Sequence, residues 1–296
     1  MSISHFITYL DCERKYSPYT ITAYRNDLSS FRKFCENEFQ TAEISNVSYS
    51  VIRSWIVSLV ENKISNRSIN RKVSSLRSYF NYLLKSKQIK EHPLRKHQSL
   101  KVEKRVNVPF SEKEMNEVLN FFEHANDFEQ VRDKLIIELL YTTGMRRAEL
   151  ISLKDTSIDL SQSIVKVLGK RNKERQLPLL NSVVETIKKY KLLRNDIDAK
   201  SDSFFITKKG KNVYPTLVYR IINDYFSMVS VKVKKSPHIV RHSFATHLLS
   251  EGADLNSVKE LLGHSSLAST QVYTHSNLKD LKVMYNQAHP RSNKNY

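Results

Sequence analysis

Five glycines in 296 residues are too few for a protein built from tight hairpins. Two-residue turns need positive φ, which glycine adopts most readily, so scarcity of glycine argues for helices. The apolar residues have the matching period. Residues 2–14 read as a short helix. Ser17-Pro18 opens a longer one, with Ile21, Tyr24, Leu28, Phe31 and Phe34 on one side. A third helix over about 48–62 presents Ile52, Trp55, Ile56 and Leu59. A fourth, from about Asn66 to Lys87, presents Ile69, Val73, Leu76, Phe80 and Leu83. Four amphipathic helices with short links make a small bundle.

Charge narrows the partners. The formal net charge is +18, which points to a polyanion: nucleic acid first, an anionic membrane surface second. Insertion into a membrane has no support, because no run approaches 18 apolar residues and LIIELLY is interrupted by Glu138. The start, MSISHFITYLDCERK, lacks the basic opening of a signal peptide. Cys12 and Cys35 are too few for a disulfide framework or a cysteine zinc site, and a cytoplasmic location is expected. The basic residues cluster: 63–105 hold thirteen, against two acidic ones, Glu91 and Glu103. On the fourth helix Arg67, Arg71, Ser74, Ser78 and Lys85 lie opposite the apolar stripe, a ridge suited to phosphates. A single charge run is ordinarily a solvated face, but such faces mix signs and this one does not. The stretch 91–110, with Pro93, Pro109, Lys101, Lys104 and Arg105, reads as a basic linker lying along the polyanion.

A second domain begins at Ser111, where Glu114 completes a capping box. A helix over about 127–142 ends at Gly144, and a shorter one begins near Arg146, placing Arg146 and Glu149 one turn apart. Residues 163–168 alternate as a strand, a turn covers 169–172, and a second strand runs through Gln176 and Leu177. Helices follow at about 181–194 and from Pro215.

Ser236 to His275 concentrates the chemistry. His238 and Arg241 share a helical face that Pro237 opens and Ser236 can cap. Leu255, Val258, Leu261 and Leu262 form the next helix, which Gly263 stops, so His264 sits at a helix end. Tyr273 follows nine residues later. Guanidinium and imidazole donors suit a pentacoordinate phosphorane, whose negative charge exceeds that of the ground state. A phenol with a pKa of ~10 is ionised about once in a thousand at neutral pH, a handicap of about 4 kcal/mol. A nucleophilic tyrosine therefore needs a neighbour to take its proton. Taken singly, such a histidine or tyrosine is ordinarily structural. His238 and His242 lack the glutamate of H-E-x-x-H and have no third ligand, so no metal is expected.

The words SPHIVRHSFATHLL and LLGHSSLASTQVYTH together resemble the tyrosine recombinase family, and its Xer branch almost letter for letter. GMRRAEL resembles the family's upstream arginine motif, with Arg146 in the catalytic place and Glu149 as an acid that orients its neighbours. VKVLGKRNKERQLPL resembles its β-hairpin, with Lys170 at the turn, and T-x-x-A-Y-x-x-D-L at Thr20 to Leu28 is the weaker match in the first half. The resemblance implies a mainly α protein. Residues 1–90 would be a SAM-like core-binding bundle, 91–110 a linker, and 111–275 a mostly helical catalytic domain with a small antiparallel sheet. Residues 276–296 would be a tail docking on a neighbouring copy through Leu278, Leu281, Met284, Tyr285 and Ala288.

It further implies metal-free, cofactor-free chemistry. Tyr273 would form a 3′-phosphotyrosyl link, Arg146, Arg241 and His264 would bind the phosphate oxygens, Lys170 would protonate the leaving 5′-oxygen, and His238 would assist at the tyrosine. DNA contacts are expected from Arg67, Arg71, Lys85, Lys101 and Lys104. The implied partners are double-stranded DNA with paired core sites, three further copies or a second recombinase completing a tetramer, and, beyond these, a septal DNA translocase. Two alternatives stay open at this point: a type IB topoisomerase-like enzyme and a non-catalytic DNA-binding protein.

Overall fold

The computed structural model describes residues 3–103, 107–169, 174–199, 201–263, 285 and 287–292. The chain forms two compact units, Met1–Arg105 and Val106–Tyr296, and the boundary falls inside the stretch read as a linker.

In the first unit α1 (Ile3–Thr8) runs into one π-helical turn (Tyr9–Glu13), followed by α2 (Pro18–Phe39), α3 (Tyr49–Glu61) and α4 (Asn66–Lys85). Ser17 caps α2 by accepting the Thr20 N–H at 3.3 Å, and Ser65 caps α4 in the same way. Leu28, Phe31, Ile52, Trp55, Leu76 and Phe80 meet in the core, with the Phe31 and Trp55 rings 4.9 Å apart. Each such side chain contributes about 1.5–3 kcal/mol by leaving water.

A buried carboxylate anchors a polar cluster in this core. Asp27 of α2 is 1% exposed, and Arg71 of α4 grips its two oxygens at 2.5 and 2.8 Å. Lys72 adds a contact at 3.3 Å and the Ser75 hydroxyl donates at 2.7 Å. The guanidinium of Arg71, expected on the DNA-facing ridge, is therefore engaged from behind, although its side chain stays 53% exposed. Arg67, Lys85 and Lys101 are exposed, and Lys104 lies outside the described residues. Beyond α4 the chain turns back onto that helix: the Asn70 side chain donates to Leu100 O and accepts its N–H, at 2.8 and 2.9 Å, and Asn66 donates to Lys101 O.

The second unit is built around α6 (Phe128–Thr143), which is buried along most of its length and on every side. Around it pack α5 (Glu112–Asn120), α8 (Asn181–Asn195), α9 (Pro215–Val229) and α10 (Pro237–Ser250). The Ser111–Glu114 capping box forms as expected. Two short helices complete the set, α7 (Arg147–Ile151) and α11 (Leu255–Leu262). A three-stranded antiparallel sheet has the order β1 (Ile158–Asp159), β2 (Ile164–Leu168), β3 (Glu174–Pro178), with Val165 opposite Leu177 and Val167 opposite Arg175. Gly144 ends α6 at φ +60, and a Cβ there would lie 2.3 Å from the Phe244 ring. Only glycine lets the chain turn and α10 approach at this point. No helix among the described residues is long and apolar enough to cross a membrane.

Two details depart from the local reading. Ser236 precedes α10, but its hydroxyl makes no cap bond and is buried without a partner among the described residues, because its extended backbone (φ −158, ψ 159) aims it elsewhere. Of the tail's apolar stripe, Tyr285 and Ala288 lie in the second unit's own core, where the Tyr285 hydroxyl donates to Thr142 O at 2.7 Å. Leu278, Leu281 and Met284 lie outside the described residues.

The Asp27 clamp yields a stability prediction. Trp55, the only tryptophan, reports the first unit by its fluorescence. Arg71→Ala should lower that unit's unfolding free energy by about 1–3 kcal/mol, since a buried carboxylate loses its fork. Arg67→Ala should stay within about 0.5 kcal/mol. Equal melting of both variants would return Arg71 to the solvated ridge.

Candidate active site

Glu149 is the centre of the site. It sits on α7, 5% exposed, and its carboxylate accepts four hydrogen bonds. The Arg146 backbone N–H reaches Oε2 at 2.7 Å and Arg146 Nη1 reaches Oε1 at 2.8 Å. Arg175 of β3 supplies the other two, at 2.9 and 2.8 Å. Four donors fill the lone-pair sites of a carboxylate. Burial alone would push its pKa up; the Arg175 and Arg146 hydrogen bonds overcome that and bring it below the usual carboxylate range. Glu149 is thus a fixed anion, and Arg146 is fixed by it.

The second arginine arrives from another helix. Arg241 Nη1 donates to Gly144 O, the carbonyl at the end of α6, and Nη2 donates to Leu262 O at 2.6 Å. Arg146 Nη2 donates to Gly263 O at 3.1 Å. The two guanidiniums therefore converge on adjacent carbonyls at the end of α11. A helix end has carbonyls without intrahelical partners and about half a negative charge, so cations are favoured there. Each guanidinium spends two of its five N–H groups on these protein acceptors, leaving donors over for an anion. Burial first, and then Arg146, pushes the Arg241 pKa down to about 10, so the side chain is still charged at neutral pH.

His238 lies one turn before Arg241 on α10. Desolvation, then Arg147, Arg241, Lys234 and Arg146, hold its pKa below the ordinary histidine range. The ring is consequently neutral at physiological pH and able to accept a proton. Lys170, His264 and Tyr273 lie outside the described residues, as does the turn 170–173 between β2 and β3. Gly263, at φ +62, ends α11 as expected and delivers the chain to His264.

Sequence reasoning found Arg146, Glu149, His238 and Arg241, and the fold brings them together. It passed over Arg175. The signal available was its place on β3: it sits one residue away from the partly exposed Gln176 and two from the buried Leu177, so it shares the inward face. A charge at an inward strand position demands a buried partner.

The comparisons with known proteins agree along the whole chain. The model of the Phage integrase family matches residues 108–280, and that of the Phage integrase N-terminal SAM-like domain matches residues 3–87. The chain is 38% identical to the tyrosine recombinase XerC of Anoxybacillus flavithermus, covering 98% of each protein. It is 37% identical to that of Leptospira interrogans, covering 98% of this chain and 93% of the relative. Among solved structures, XerH site-specific recombinase bound to a palindromic difH substrate matches with a TM-score of 0.70 at 21% identity, over 91% of this chain and 80% of that one. The Tn1549 transposon integrase in complex with transposon right end DNA gives 0.71 at 18%, over 96% and 99%. At such identities these two structures speak for the fold. The sequence relatives carry the assignment, and the chain belongs to the phage integrase family as a Xer-like tyrosine recombinase.

Proposed function

We propose that Arg146, Lys170, His238, Arg241, His264 and Tyr273 are the residues with which this site-specific recombinase cuts and rejoins DNA. The observation that carries the reading is the meeting of Arg146 and Arg241 at the end of α11, next to His264 in the chain. Two fixed cations with donors to spare suit the two non-bridging oxygens of a scissile phosphate. The phenol oxygen of Tyr273 attacks phosphorus, and neutral His238 takes its proton. The phosphorus–O5′ bond breaks, Lys170 gives the leaving 5′-oxygen a proton, and a 3′-phosphotyrosyl link remains. Its energy is close to that of the bond it replaced, so a 5′-hydroxyl from a partner strand reverses the step.

The substrate in this reading is double-stranded DNA carrying paired core sites. The exposed Arg67, Lys85 and Lys101, together with Lys104, track the phosphate backbone, and Arg71 contributes with the part of its guanidinium that Asp27 leaves open. Four copies, or two copies with two of a second recombinase, assemble on two sites, and a septal DNA translocase acts on the assembly. Docking of 276–296 on a neighbouring copy through the whole apolar stripe requires Tyr285 to leave the core position it has here. The whole acts in the cytoplasm.

Three measurements test this. Nicked duplexes with a randomised core, incubated with the protein, should yield covalent adducts whose sequences reveal the site; Tyr273→Phe should bind the same DNA and give none. A normal adduct yield from that variant would overturn the assignment. The acid limb of the cleavage rate should lie below pH ~6.5, the ordinary histidine value, because His238 must be unprotonated to act as base. Removing a neighbouring cation with Arg147→Gln makes protonation easier and should move that limb to higher pH; a fixed limb would exclude His238 as the base. Log affinity should fall with log salt by about 0.9 per phosphate contact, and Lys101→Ala should flatten the slope by about one such step. An unchanged slope would leave Lys101 merely solvated.

A further inference from the structure

Arg175 stands in the second strand of the hairpin stretch VKVLGKRNKERQLPL, and we propose that it is the positioning residue of this active site. It couples the β-hairpin bearing Lys170 to the end of α11 bearing His264, through Glu149 and Arg146. The inference rests on the reading of the site just given and adds to it a residue that touches no substrate.

The geometry is specific. Arg175 is 5% exposed and every nitrogen of its guanidinium has an acceptor. Nη1 and Nη2 grip Glu149, and Nε donates to Leu261 O at 2.9 Å. Its acceptors lie 26 and 86 residues away in sequence, on two different helices. With Arg241 on Leu262 O and Arg146 on Gly263 O, three consecutive carbonyls at the end of α11 each receive one guanidinium. Arg175 is the one of the three that is fully enclosed. The other two keep partial exposure, which is what a phosphate needs.

Contact with Gly263 completes the coupling. A Cβ on that residue would lie 3.2 Å from Arg175 Nη1 and 3.3 Å from its Cζ. The guanidinium therefore packs directly on the residue before His264. Five positions before Arg175, along the same hairpin, stands Lys170. Any displacement of Arg175 shifts the carboxylate that fixes Arg146, the carbonyl row that Arg241 and Arg146 share, and the strand that leads to the lysine. Lysine in its place would keep the charge but lose the fork, so the two-point grip on Glu149 and the bond to Leu261 O could not coexist.

The test separates positioning from simple support. Full-length Arg175→Lys and Gly263→Ala are compared with wild type in single-turnover adduct formation on the captured duplex. A second duplex has a neutral methylphosphonate at the scissile position, which lowers the demand for arginine at the non-bridging oxygens. On ordinary phosphate both variants should be slower by about 100-fold, the scale of a misplacement of about 1 Å at a reacting centre. DNA affinity should stay within about threefold, because the phosphate contacts along the rest of the duplex, which supply most of the affinity, are untouched. On methylphosphonate most of the deficit should vanish. Rates within about twofold of wild type on phosphate, or an equal loss on both duplexes, would overturn the inference. If Arg175→Lys fails to fold by circular dichroism, Gly263→Ala, which keeps the ion pair but crowds Arg175 and strains the left-handed end of α11, is judged by its ratio of phosphate to methylphosphonate rates, which general strain would leave unchanged. Absence of any adduct from wild type would instead overturn the reading of the site, and this inference with it.

Discussion

The buried carboxylate of Glu149 joins the elements that make the site. Removing a carboxylate from water costs several kcal/mol, and that cost is offset only where geometry is good and every lone pair is used. Here two arginines and one backbone N–H meet the demand with bonds between 2.7 and 2.9 Å. The pair also limits where its neighbours can go. Arg175 ties the sheet to α7, and Arg146 is drawn to the start of that helix with Nη2 donating to the end of α11. Loss of either partner would strand a charge in the interior.

The scaffold under this clamp is apolar. α6 crosses the second unit with Leu135, Ile136, Leu139 and Leu140 fully enclosed, and it ends at the one residue whose missing side chain admits Phe244 of α10. That close approach puts Arg241 within reach of Gly144 O. A hydrophobic contact thus sets the position of a guanidinium in the candidate site. The same economy appears at the other end of α10, where His247 meets the Tyr141 hydroxyl at 2.9 Å and so fastens α10 to α6.

The excess of basic residues divides into two populations that net charge cannot distinguish. Arg71, Arg146, Arg175 and Arg241 are oriented by protein acceptors and act as fixed parts. Arg67, Lys85 and Lys101 are exposed and add to the general field around the molecule. Fixed cations give geometry to a bound phosphate, whereas exposed ones mainly give salt-dependent affinity. A protein that both grips DNA along its length and acts on one phosphate needs both kinds.

Sequence by itself determined the helices, their caps and stops, and most of the residues at the centre of the site. These features are local: Ser111 with Glu114, Gly144, Gly263, and His238 with Arg241 all act within about one turn of their neighbours. Tertiary structure alone decided the partners of the charges. Asp27 and Arg71 are 44 residues apart, Arg175 and Leu261 86, and Arg146 and Gly263 117. No periodicity encodes such pairs, because they exist only once apolar packing has brought two helices or a helix and a strand together. For the same reason Ser236, a good cap by its residue type, caps nothing, and Tyr285 closes onto Thr142, which is 143 residues away in the chain. Hydrophobic burial chooses which surfaces meet, and only then does a charge find the acceptor it must have.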